Sequence, residues 1–131
     1  MAGEVMIVAE QAGSQVAPVT LELLGEGKKL AEKLGVNLSC FVIGHNMQAA
    51  VEEVIKAGAQ KVYLADHPEL AEYKTLHYRR VIVDELSKWS IPPHTLLMGS
   101  TTTGRDLAPR VAAFFETGLT ADTIELDEII G

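Results

Sequence analysis

A single cysteine, Cys40, leaves this 131-residue chain without an internal disulfide and without a set of thiolates for zinc. Cations are also short. Eleven Lys and Arg stand against 18 Asp and Glu, a net charge of −7 that argues against nucleic acid or an anionic membrane as partner. No apolar run reaches the roughly 18 residues that a membrane-spanning helix needs. Met1 to Glu10 contains neither a basic stretch leading into an apolar one nor an Arg-rich presequence, so a reducing cytoplasmic compartment is expected. Two phosphate-binding fingerprints are missing as well: Gly-x-Gly-x-x-Gly after the first strand, and the Gly-Lys-Ser/Thr of a P-loop. No nucleophile elbow or Ser/His/Asp arrangement appears, so the chain is not expected to be an enzyme.

What is present is globular. Apolar residues make up 47% and charged residues 22%, and the length suits one domain over 1–131. A chain of this size buries roughly two-thirds of its unfolded surface.

Strand-like and helix-like segments alternate along the chain. Val5 to Ala9 is an apolar run of strand length. A loop from Glu10 to Ala17 follows, and Pro18 suits a first helical turn. Val19, Leu23, Leu30 and Leu34 make one helical stripe, closed by Gly35 as a left-handed cap. Leu38–Ile43 reads as a second strand, and Met47, Val51, Val54 and Ile55 stripe a helix ending at Gly58. Lys61–Ala65 is a third strand, and Tyr78, Ile82, Leu86 and Trp89 stripe a third long helix. Thr95–Met98 is a fourth strand, and Leu107, Val111, Phe114 and Phe115 stripe a fourth helix. Leu119–Leu126 supplies a fifth strand.

Such alternation implies an α/β, three-layer sandwich with an open parallel sheet and right-handed crossovers. In the order 3-2-1-4-5 the reversal falls between strands one and four, where the loops Glu10–Ala17 and Gly99–Gly104 meet. Every charge from Glu116 to Gly131 is acidic, and the chain stops after a strand-like segment, as at a domain boundary.

The most informative stretch is Gly99-Ser-Thr-Thr-Thr-Gly-Arg-Asp-Leu-Ala-Pro-Arg110. Small residues, free N–H groups and hydroxyls at a helix start can form an anion nest, with Arg105 adding charge. Thr103 and Asp106 equally fit a capping box, and Asp106 and Arg110 an i,i+4 pair. Elsewhere, Cys40 reads as a buried inert thiol. His45, His67, His77 and His94 lack metal-ligand spacing. Asp66, with Glu69 three residues on, reads as an N-cap, and Tyr78-Arg79-Arg80 as a solvated helix face or a phosphate grip.

The same stretch, continued to Thr117-Gly-Leu-Thr-Ala-Asp122, resembles the N-terminal domain of the electron transfer flavoprotein alpha subunit. The family pattern is Gly-Ala-Thr-x-x-Gly-Arg-Asp-Leu-Ala-Pro-Arg followed by Thr-Gly-Leu-x-Ala-Asp. Val8-Ala9-Glu10, Ala17 to Leu24 and Ala57 to Tyr63 support it, so the resemblance runs from Val5 to Asp127. Ser100 stands for the usual Ala, Phe115-Glu116 for Leu-Gly and Thr123 for Cys.

The resemblance implies a Rossmann-like fold of the adenine nucleotide alpha hydrolase type. It also implies a subunit of a heterodimer that carries electrons from flavin dehydrogenases to an acceptor. In such an assembly the domain packs against the beta subunit, and a separate C-terminal domain holds most of the FAD. That domain's Ser-Gly-x-x-Gln-His signature is absent here, so FAD belongs to the full-length heterodimer and none is expected on this chain alone. Arg105, Thr103 and Gly104 are the expected cofactor-proximal or interface residues. The alternatives are a free-standing adenine-nucleotide-binding module of the stress-protein-like class and an adenylate-forming enzyme. The latter lacks its Ser-Gly-Gly-x-Asp loop, since Gln11-Ala12-Gly13-Ser14 stands in that place.

Overall fold

The computed structural model describes residues 3–13, 15–89, 93–99, 105–107 and 109–111. Its central sheet has four parallel strands: β1 (Val5–Val8), β4 (Leu38–Gly44), β5 (Lys61–Asp66) and β6 (Thr95–Leu97). Their order is β5-β4-β1-β6, the 3-2-1-4 part of the expected arrangement. The expected fifth strand, with Phe114 and Phe115, lies outside the described residues.

The loop expected at Glu10–Ala17 instead contains a short antiparallel ribbon, β2 (Gln11–Ala12) against β3 (Gln15–Val16). It turns at Gly13, whose φ of 67° favours glycine. Alternation was too brief there to show a strand.

Helix α1 (Pro18–Leu34) starts on its proline and ends on Gly35 at φ 69°, as expected. Its buried stripe differs from the predicted one. Thr20, Leu23, Leu24, Gly27 and Ala31 are buried, whereas Val19, Leu30 and Leu34 flank them half-buried. Small residues sit where the backbone comes closest to the sheet. A Cβ on Gly27 would lie 2.9 Å from Ile7 Cδ1 and 3.0 Å from Leu38 Cδ1.

Helix α2 (Gln48–Lys56) buries Ala50 and Val54, but Ile55 is 53% exposed rather than in the core. Helix α3 (Thr75–Leu86) buries Tyr78, Ile82, Val83 and Leu86. Trp89 lies past its end and stacks on Tyr63 at 5.0 Å between ring centroids.

Strand side chains alternate between faces. Ile7, Leu38 and Leu97 meet α1, while Phe41 and Tyr63 meet the Trp89 end of α3 on the opposite face. Three layers follow, as expected. The reversal past β1 carries the β5-to-β6 connection across the sheet, and right-handed crossovers then place α3 opposite α1. Among the described residues no helix is long and apolar enough to cross a membrane.

Candidate functional site

Because β4 and β6 flank β1, the topological switch lies between β1 and β6. A cavity of about 310 Å³ opens at their carboxyl ends. Val8, Ala9, Met98 and Leu107 form its apolar floor. Glu10, Gln11, Glu72, Tyr73 and Tyr78 add polar groups to the lining. The charged groups among these described lining residues are both carboxylates.

The loop ends approach each other closely. A Cβ on Gly99 would fall 2.6 Å from Glu10 Oε2, so the small residue there admits a carboxylate of the chain itself. Thr20 Oγ1 accepts from Glu10 N at 2.9 Å, tying the start of α1 to the same loop.

Tyr78 is buried, not on a solvated face, and its hydroxyl donates to the Leu70 carbonyl at 2.9 Å. Gln11 Nε2 donates to that hydroxyl and, at 3.3 Å, to the same carbonyl. Burial pushes the Tyr78 phenol up to about 12. Of its neighbours, Arg79 reaches the Arg110 carbonyl at 3.4 Å and Arg80 is exposed.

Two carboxylates act on helices that have no cap of their own. Helix α2 starts at Met47 without a side-chain cap or an acidic first turn. Asp66, at the end of β5, accepts from Asn46 N and Met47 N, both at 3.0 Å. Asn46 sits at φ 57°, and His45 Nδ1 lies 3.4 Å from Asp66. Asp66 thus holds another element's helix, not its own turn, where His67 Nδ1 accepts from Glu69 N. These bonds hold its carboxyl below the usual carboxylate value.

Asp106 reaches the start of α3 through side-chain hydroxyls instead. Its Oδ2 accepts from Tyr73 Oη at 2.7 Å and from Thr75 Oγ1, while Oδ1 faces Arg110 Nε at 3.3 Å. The i,i+4 pair with Arg110 therefore forms as expected. Hydroxyl donation, chiefly from Thr75, holds the Asp106 carboxyl below its usual value.

Thr103 and Gly104 lie outside the described residues, and with Thr103 the capping box. Arg105 is exposed at the head of a helical stretch over 105–107, and Leu107 reaches the cavity. Cys40 is fully buried and its thiol is pushed up to about 12. No three His, Cys, Asp or Glu among the described residues come together as a metal site. The sequence named the two loops, Gln11 among their residues, but not Glu72 or Tyr73.

Fold and crevice define a Rossmann-like α/β domain open at its switch point. The chain belongs to the electron transfer flavoprotein family, whose domain it matches over residues 5–131. It is 45% identical over 123 residues to the electron transfer flavoprotein subunit alpha of Clostridium acetobutylicum, covering 94% of this chain and 36% of that one. The subunit alpha of Thermoanaerobacterium thermosaccharolyticum is 44% identical over 124 residues, 95% of this chain and 37% of its own. The acryloyl-CoA reductase electron transfer subunit beta of Anaerotignum propionicum is 39% identical over 124 residues, 95% and 33% of the two chains. The chain spans about a third of the length of these curated relatives.

Proposed function

We propose that this chain acts as the N-terminal domain of the alpha subunit of a heterodimeric electron transfer flavoprotein, in the cytoplasm of a bacterium or archaeon. The assembly carries electrons from flavin dehydrogenases to an acceptor. This domain supports docking to the beta subunit and to the flavin domain and catalyses no step itself. The observation that carries the reading is the 45% identity across 94% of the chain to an alpha subunit of which it covers 36%.

The described crevice lining is acidic. The charged side chains in that described lining are Glu10 and Glu72. FAD belongs to the full-length heterodimer. Arg105, with Thr103 and Gly104, serves the interface or the approach to the flavin domain.

The test is an absorption spectrum of the purified chain, followed by titration with FAD and AMP. Absence of flavin bands and of binding supports the reading. Tight binding of either ligand would move the chain to the class of free-standing adenine-nucleotide-binding modules. In the assembled heterodimer, Arg105→Ala should weaken subunit pairing or flavin retention while the far-ultraviolet spectrum stays unchanged. A loss of folded signal would give Arg105 an internal structural role instead.

A further inference from the structure

Ala71, Glu72 and Tyr73 line the crevice from a strap that buries few side chains. In the strap from Pro68 to Thr75, Leu70 is buried and Tyr73 packs half-buried against the core, whereas Ala71, Glu72 and Lys74 are exposed. A segment with so few buried apolar contacts opens locally at low cost unless polar anchors restrain it. Two sets of anchors are visible. At one end, the Leu70 carbonyl accepts from Tyr78 and Gln11. At the other, Tyr73 and Thr75 both donate to Asp106, which lies on a different element past β6.

That second anchor also stands at the start of α3. The helix begins at Thr75 behind Lys74, which makes no side-chain cap, and its first turn carries no acidic residue. Asp106 places a carboxylate at this end, where the helix dipole and the unbonded N–H groups favour negative charge. The ring of Tyr73 meets that of Tyr78 edge-on at 5.0 Å, so the two anchors are in contact.

We propose that Asp106 is the latch of a hinged crevice wall: its bonds to Tyr73 and Thr75 hold residues 71–75 closed, and their loss swings the wall open about Leu70 while the sheet stays folded. The inference concerns the chain's own motion and stands whether or not the functional proposal above holds. The Leu70 anchor survives the change, so opening is confined to the far half of the strap and the first turn of α3.

Amide hydrogen exchange on the 131-residue chain, read by mass spectrometry, tests it. Asp106→Ala should raise exchange over 71–78 by about tenfold or more, a factor equivalent to about 1.4 kcal/mol of opening free energy, while β1 and β4 stay within about twofold of wild type. Trypsin should cut after the exposed Lys74 faster by a similar factor. Thr75→Val and Tyr73→Phe, which leave Asp106 in place, should each give a smaller rise over the same amides. Unchanged exchange over 71–78 in Asp106→Ala overturns the proposal. If that variant loosens the whole sheet, the other two decide: a rise confined to 71–78 supports the latch, and its absence in both refutes it.

Discussion

Gly25 and Gly27 lie two residues apart on α1, yet replacing each with alanine should shift stability in opposite directions. In an exposed helix interior, Gly→Ala stabilises by about 1 kcal/mol because alanine loses less backbone entropy. Gly25 is exposed and a Cβ there meets nothing within 4 Å, so Gly25→Ala should gain most of that amount. At Gly27 the same gain is opposed by overpacking. Its Cβ would press on Ile7 at 2.9 Å, Leu38 at 3.0 Å and Leu97 at 3.4 Å. These are terminal methyls, but all three side chains are themselves buried and have little room to move.

Overpacking of this kind costs about 1–3 kcal/mol, so the two variants should differ by about 2 kcal/mol. With a urea m-value of about 2 kcal/mol per M, their unfolding midpoints should separate by about 1 M. Trp89 fluorescence and circular dichroism at equilibrium read both midpoints. If Gly27→Ala is as stabilising as Gly25→Ala, α1 does not approach the sheet as closely as argued.

Other consequences follow from single groups. Cys40 should resist thiol reagents in the native state and react at the rate of global opening, since it is buried and its thiolate is disfavoured; prompt labelling would place it elsewhere. Asp66 is held below its ordinary value of 3.8, so its contribution is present above that value and lost as pH falls through the lowered one. Urea midpoints should therefore drop more steeply on acidification for the wild type than for Asp66→Ala. Tyr78 has the opposite sign. Its native phenol retains its proton, so stability falls as pH rises from 10 towards about 12, and Tyr78→Phe should remove part of that fall while lowering stability at pH 7.

The class of fold was legible from hydrophobic spacing alone. Short apolar runs of Val, Ile and Leu alternated with stripes of helical period, and a parallel sheet is the arrangement that buries both. The glycine and proline that bound α1 were equally readable, because their conformational constraints are local. The family pattern through Arg105, Asp106 and Arg110 was legible in the same way, as an order of residues along the chain.

Tertiary contacts decided the rest. Gly27 and Ala31 carry no hydrophobic signal, yet they occupy the centre of α1's buried face because only small residues allow the helix so near the sheet. Ile55 carries a strong one and still faces water. Asp66 and Asp106 looked like caps for their own segments, and Tyr78 like part of a polar helix face. Asp66 serves backbone N–H groups at least 19 residues away, Asp106 accepts from Tyr73 and Thr75 on a distant stretch beside its i,i+4 pair with Arg110, and Tyr78 meets a carbonyl brought near by the turn of the strap. Periodicity reports which side of an element is apolar; it carries no information about which distant donor will meet a carboxylate once the elements pack. The crevice follows from that packing, since its walls come from four stretches of chain that the parallel sheet alone brings together.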